Sequence, residues 1–270
     1  MLPAPLEREW LWSALESLLA KRGEAVFVEV PLVLPTDEFF PDRWTADERG
    51  VAALAQRLLG FAALQHLTAT VEIFDEEHEI DEVGLDGNAA KWSHAGAAAW
   101  FAGIELGRCR FGCERRKLRD PLGLVASLAH EVGHAFRRAH RLEHRDRDHE
   151  EKLTDVTTVY LGFGVLTTAA AARSYSQQVG NTGMQWGHQR QGYLAPEAMS
   201  FLLATQLVLR GYDSRTVRWL GKHLPANQRA YVREAMQAID RERVADVLGY
   251  EAVPAMQASP APAKPWWQLW

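Results

Sequence analysis

Hydrophobic and polar positions along this chain predict many helices and a small group of strands. In the helical stretches apolar residues recur three and four positions apart, which gives each helix one apolar face. In the strand stretches apolar residues alternate with polar ones or form short runs. The predicted helices cover residues 6–21, about 45–65, 120 to beyond 136, 150–165 and 196–210, with two or three more reaching about 248. The predicted strands cover 25–33, 68–74, 97–106 and 108–113, and acidic and Gly-rich loops cover 75–87 and 180–192.

This order of elements predicts an α+β fold: a helix-rich chain with a small, mainly antiparallel sheet packed on the helix that begins near Asp120. We expect a single domain over residues 1–250, because no break in composition precedes residue 250. Residues 251–270 are rich in Pro, Ala and Trp, and we expect a flexible tail there.

Two helix starts carry local sequence signals. Asp120 followed by Pro121 is typical of a helix N-terminus, with an acidic cap and a proline at the first helical position. Thr45 and Glu48 have the spacing of a capping box. The helix after Asp120 is expected to turn five apolar side chains towards the core: Leu124, Val125, Leu128, Val132 and Phe136.

The second half of that helix contains the candidate metal-binding and catalytic residues, in the sequence His130-Glu131-Val-Gly-His134. Residues four apart lie one above the other on a helix, so both imidazoles can reach one metal ion. Glu131 lies about 100° around the helix, where its carboxylate can touch a metal-bound water without ligating the ion. This H-E-x-x-H pattern predicts a hydrolytic zinc site in which Glu131 takes the proton of that water.

A catalytic zinc ion usually takes three protein ligands, so a third must be found. Glu151 lies seventeen positions after His134, and Asp155 follows it by four. On a helix these two carboxylates share a face, so Glu151 can ligate while Asp155 accepts a hydrogen bond from a ligand histidine. We predict Glu151 as the third ligand.

Two other third ligands stay open. His140 lies six positions after His134, as in proteases whose third ligand is a histidine. Those proteases have a glycine three residues past the second histidine, which lets the chain turn sharply, and Arg137 stands there in this chain. An arginine favours a continuing helix, which points His140 away from His134. Direct ligation by Asp155 is the other alternative.

Interpretations without a metal are also open. Asp148 and Glu151 have the spacing of a capping box, which needs no ion. His130 and His134 can be read as core histidines. The capping box leaves the spacing of Asp155 unexplained, so we favour the metal site.

The pair of motifs resembles a known family. His130-Glu-Val-Gly-His134 followed by Glu151-Lys-Leu-Thr-Asp155 resembles the gluzincin zinc metallopeptidases, in which an H-E-x-x-H helix precedes an E-x-x-x-D helix. Further stretches, beginning at Ala99, Leu153 and Gln191, are similar to a group of uncharacterised bacterial proteins with both motifs; this similarity covers about residues 97–210. One position departs from peptidases such as thermolysin: Glu150 stands where they have an asparagine.

The resemblance implies a zincin-like core, a bound zinc ion and peptidase activity on a peptide or protein substrate. Gluzincins supply a downstream His or Tyr that stabilises the oxyanion, which makes His188 and Tyr193 candidates. As in zincins, the strand near 98–104 can bind an extended peptide by edge pairing, and its apolar face can equally be plain sheet core. In the alternative function, the zinc is structural or regulatory and the tail 251–270 binds a protein partner.

Composition and charge limit the partners. A net charge of −5 and a pI near 6.1 give no electrostatic argument for nucleic acid. The N-terminal residues carry Glu7, Arg8 and Glu9, so we expect no secretion signal, no membrane partner and a cytoplasmic location. Cys109 and Cys113 are the only cysteines, and we expect no disulfide framework.

Overall fold

The structure, a computed structural model, describes residues 1–75, 79–83, 89–93, 99–171, 194–212 and 214–239. The helices in these ranges are α1 (Pro5–Arg22), α2 (Glu24–Glu29), α3 (Glu48–Phe61), α4 (Pro121–Ala139), α5 (Arg147–Tyr160), α6 (164–171), α7 (Pro196–Leu209), α8 (Ser214–Leu220) and α9 (Ala226–Ala238). The strands are β1 (Thr68–Phe74), β2 (Glu79–Val83), β3 (Ala89–Ser93), β4 (Ala99–Glu105) and β5 (Arg108–Glu114).

The chain divides into two compact units, and the α+β class predicted from the sequence is confirmed. The sheet unit covers Pro35–Glu150, and the helical unit covers Met1–Leu34 together with the described residues from Glu151 onward. The division falls between two adjacent residues inside α5. Across the described ranges, no helix is both long and apolar enough to cross a membrane.

The sheet unit contains a three-stranded mixed sheet in the order β1-β5-β4. Strand β1 pairs with β5 in parallel and β4 pairs with β5 antiparallel, while β2 and β3 form a separate antiparallel pair. Helices α3 and α4 pack on this sheet, against β1 and β4 respectively. All five apolar side chains predicted for the core face of α4 are buried. Each contributes on the order of 1.5–3 kcal/mol.

Strand β4 is held in the sheet by an aromatic side chain that lies over a glycine. Trp100 pairs in register with Gly112 of β5, and a Cβ at Gly112 would lie 2.0 Å from the indole. The Phe74 ring of β1 also stacks on the Trp100 ring, with centroids 5.3 Å apart. Between Phe101 and Gly103 the register shifts, which is a β-bulge of the kind that often lies at sheet edges next to functional sites.

The helical unit is built around α7, whose side chains are buried on almost every side. Helix α7 packs against α1 and α9. Helix α5 ends in a Schellman motif: Gly162 has a φ of 83°, and the Phe163 amide donates to the Thr158 carbonyl. A Cβ at Gly162 would lie 2.0 Å from the Pro31 carbonyl oxygen, so only glycine fits there.

The strand predicted over 25–33 is wrong, because its first part forms helix α2. Arg210, buried at the end of α7, donates through Nη1 to the Val30 carbonyl at 2.7 Å and through Nη2 to the Phe27 carbonyl. Its guanidinium also lies 5.1 Å from the centroid of the Phe27 ring. These contacts satisfy the last carbonyls of a short helix, which the β propensity of the valines did not indicate.

Three other boundaries differ from the prediction. Asp47, and not Thr45, caps α3, since its carboxylate accepts from the Gly50 amide at 2.9 Å. Strand β2 lies inside the stretch predicted as an acidic loop. Helix α5 starts earlier than expected and stops at Tyr160 because of the glycine turn that follows. The prediction of one domain over 1–250 stays a prediction, and the tail 251–270 lies outside the described residues.

Candidate metal centre

Helix α4 carries the H-E-x-x-H residues as predicted. Asp120 caps it, accepting from the Gly123 amide at 3.2 Å, and Pro121 is the first helical residue. His130 and Glu131 are buried, whereas the His134 side chain is 17% exposed. The two imidazole centroids lie 4.9 Å apart. The helical spacing therefore brings both rings together on one face.

Glu151 joins the two histidines. His130, His134 and Glu151 each offer one ligand atom, and these three atoms lie within 4.8 Å of one another. It is the one group of three or more possible ligands found across the parts of the chain that the structure describes. His140 and Asp155, the alternative third ligands, do not belong to this group.

The three donors suit a divalent transition metal. Two imidazoles and a carboxylate form one of the ligand sets of catalytic zinc, with bonds of about 2.0–2.2 Å and one position left for water. Ligand atoms in such a tetrahedron lie about 3.4 Å apart, so a spacing of up to 4.8 Å would have to close by no more than about 1.4 Å to hold an ion. Two histidines with one carboxylate also bind iron(II) in oxygenases, so the donor set alone does not select zinc.

The capping-box interpretation of Glu151 is wrong. Helix α5 begins at Arg147, and Asp146 caps it by accepting from the His149 amide at 2.8 Å. Asp148 is therefore already the second residue of the helix. Glu151 lies two residues beyond the position at which a capping-box glutamate reaches back.

Helix α4 continues past Arg137, as expected for an arginine where a third-histidine protease has a glycine. The helix continues through Ala139, and His140 is its C-cap residue. The His140 ring packs against Phe136, with centroids 4.4 Å apart. Arg141 then adopts a φ of 56°, and the Leu142 amide donates to the Arg137 carbonyl at 2.8 Å, which completes a Schellman motif.

Glu131 makes a contact that the sequence did not predict. Its Oε2 accepts a hydrogen bond from the Phe101 amide of β4 at 2.7 Å. The carboxylate is thereby fixed to the backbone of a strand thirty residues earlier, next to the β-bulge. A carboxylate offers about four acceptor sites, so this bond leaves capacity to receive a proton.

Asp155 makes a second unpredicted contact. The residue is buried, and its Oδ2 accepts from the Leu194 amide at 2.8 Å. Leu194 directly follows Tyr193 in the sequence. Tyr193 and His188, the candidate oxyanion donors, lie outside the described residues. Spacing along the chain contains no signal for a bond between residues thirty-nine positions apart.

The two cysteines lie apart from this chemistry. Cys109 and Cys113 are both buried and unbridged on β5. Burial raises the pKa of each thiol to about 12, so both are protonated at neutral pH. A protonated thiol is a poor metal ligand and a poor nucleophile. Their side chains serve the packing of the sheet.

Comparisons with known proteins give this chain no relative. No family model, no curated protein and no solved structure matches it.

Proposed function

We propose that this protein is a zinc-dependent hydrolase, a gluzincin-like peptidase with a zincin-like fold. In this proposal His130, His134 and Glu151 hold the ion. The supporting observation is that these three ligand atoms lie within 4.8 Å of one another on α4 and the start of α5. Glu131, the next residue after His130, stands ready as the general base.

Held by His130, His134 and Glu151, a zinc ion would supply a Lewis acid that lowers the pKa of water towards neutrality and polarises a carbonyl oxygen. The Glu131 carboxylate would act as the general base that accepts the proton of the attacking water and returns it to the leaving amine. The hydrogen bond from the Phe101 amide fixes the carboxylate in one orientation for this transfer. Fixed geometry is what makes such a proton transfer efficient.

Strand β4 is the proposed binding site for an extended peptide. It is the outer strand of the order β1-β5-β4, with β2 close by. A peptide that pairs with an edge strand gains backbone hydrogen bonds without a sequence requirement. The Glu131 carboxylate accepts a hydrogen bond from the backbone of β4, so a peptide paired with β4 would lie beside the general base.

The oxyanion donor belongs to the same proposal. His188 and Tyr193 are the candidates. The amide of Leu194, the residue after Tyr193, donates a hydrogen bond to Asp155, which lies one helical turn after Glu151 on α5. Besides accepting from the Leu194 amide, Asp155 is proposed to accept a hydrogen bond from a ligand histidine. Its burial is consistent with that role. We also propose a cytoplasmic location, which the two unbridged cysteines, Cys109 and Cys113, favour.

The test combines metal content with hydrolysis. Native protein and Glu131→Gln are analysed for zinc and assayed on a peptide library. We expect both to bind zinc, and Glu131→Gln to hydrolyse about 10²–10⁴-fold more slowly, because it lacks the base. Glu72→Gln, the same change at an exposed position of β1, serves as the control and should keep native activity.

If zinc-loaded native protein hydrolysed peptides no faster than Glu131→Gln does, the proposed peptidase activity would be refuted. That result would favour the alternative, a structural or regulatory zinc with binding through the tail 251–270. Bound iron in place of zinc would refute the choice of metal.

A further inference from the structure

Arg137 and Glu150 form an ion pair beside the proposed metal ligands. The Arg137 side chain is 4% exposed and that of Glu150 is 12% exposed. Two hydrogen bonds join them, from Nε to Oε1 at 2.7 Å and from Nη2 to Oε2 at 2.8 Å. The planar guanidinium thus meets the carboxylate edge to edge, which fixes orientation as well as distance.

The same pair holds the segment that joins α4 to α5. Arg137 also donates through Nη2 to the Leu142 carbonyl at 2.6 Å. Glu150 Oε2 also accepts from the His144 amide at 2.7 Å. Between Arg137 and Leu142, Arg141 is in the left-handed region, which costs a non-glycine residue about 1–2 kcal/mol. The end of α4, the turn and the start of α5 are therefore tied together by two side chains.

We propose that Arg137 and Glu150 are positioning residues that keep Glu151 at ligand distance from His130 and His134. This inference rests on the proposed function. Glu151 follows Glu150 directly, so anchoring the Glu150 carboxylate to α4 sets the height and the rotation of the first turns of α5.

Glu150 acts through the backbone of α5 and not by a hydrogen bond to a ligand ring. Its Oε1 lies 3.9 Å from His134 Nδ1, beyond hydrogen-bond distance. A buried ion pair also adds little net stability compared with apolar side chains of similar volume. What the pair supplies is a defined geometry, and metal ligands need placement to within about 0.5 Å.

Zinc affinity measured against a chromophoric chelator tests the positioning role. Glu150→Gln keeps the shape and removes the charge, and Arg137→Lys keeps the charge and removes the planar fork. We expect each to weaken zinc binding about 10–100-fold, as removal of groups that orient metal ligands does. The absorption spectrum of the Co²⁺-loaded protein should change as well, because it reports ligand geometry.

The neighbouring pair provides matched controls. Arg138 Nε is paired with Glu143 Oε1, between the last turn of α4 and the same connecting segment. Arg138→Lys and Glu143→Gln make the same chemical changes without touching α5, and should keep native zinc affinity and the native Co²⁺ spectrum. Circular dichroism and thermal unfolding of the metal-free proteins establish that all four variants fold.

A double-mutant cycle with Glu151→Ala separates positioning from a general structural role. If Glu150 acts by placing Glu151, Glu150→Gln should change zinc affinity by no more than about twofold once Glu151 is gone. An equal loss in both backgrounds, or no loss in the native background, would overturn the inference. Failure of the native protein to bind zinc would instead overturn the proposed function.

Discussion

Two buried arginines, one in each unit, differ in the groups to which they donate hydrogen bonds. Arg210 donates to the neutral carbonyls of Phe27 and Val30, and so ends a short helix. Arg137 meets the charged Glu150 and so joins α4 to the start of α5. The difference lies in the carboxylate: Arg137 also donates to a carbonyl, that of Leu142, but it adds two bonds to Glu150. Glu150 directly precedes the proposed ligand Glu151, so we expect only the pair with Arg137 to affect metal binding.

The largest effect is expected from breaking the charged pair on one side. Arg137→Met leaves the Glu150 carboxylate without its guanidinium in a mostly buried position. Such changes cost about 3–5 kcal/mol of unfolding free energy. Denaturant unfolding measures this. The double variant Arg137→Met/Glu150→Leu should recover most of the stability, since apolar side chains replace both charges.

The same double variant sharpens the comparison, because its zinc affinity should not recover. Stability without affinity would separate the positioning role from the folding role. Recovery of native zinc affinity together with stability would show that the pair contributes only to folding.

Arg210→Met should cost about 2–3 kcal/mol, because two carbonyl groups lose their donors. Its zinc affinity should stay native, since Arg210 serves α2 and the helical unit. Denaturant unfolding gives the first value and chelator competition the second. If Arg210→Met bound zinc as weakly as Arg137→Lys, the two arginines would not differ in their effect on metal binding.

The smallest effect concerns the turn after α4. Arg141→Gly relieves the left-handed strain and should raise the unfolding free energy by about 1 kcal/mol. The glycine also adds freedom to the unfolded chain, which limits the gain. A shift in the urea midpoint measures the balance. A loss of stability would mean that the Arg141 side chain contributes more than its backbone conformation costs.

Local signals explain what the sequence predicted well. The Asp120-Pro121 start, the apolar face of α4 and the two histidines four apart all depend on residues within a few turns of one helix. Glu151 was predicted from its position seventeen residues after His134 and four before Asp155. In the structure its carboxylate and the two imidazoles offer ligand atoms within 4.8 Å of one another, and its role as a ligand stays a prediction.

The contacts that were missed are long-range or depend on a single side chain. The Phe101 amide meets Glu131 only because β4 packs on α4, and no spacing along the chain encodes that packing. Arg137 was considered for what it does to its own helix, whereas its partner Glu150 lies thirteen residues later. The strand predicted over 25–33 failed in the same way, because Arg210 overrides the β propensity of the valines.

Zinc bound per chain, in protein purified without added metal and dialysed, tests the central claim most directly. Native protein, Glu151→Ala and His140→Ala are compared by elemental analysis and by chelator competition. We expect one zinc per chain in the native protein and in His140→Ala, and a loss of affinity of about tenfold or more in Glu151→Ala. A native protein without zinc, or a Glu151→Ala variant that binds zinc as tightly, would contradict a zinc site built from His130, His134 and Glu151.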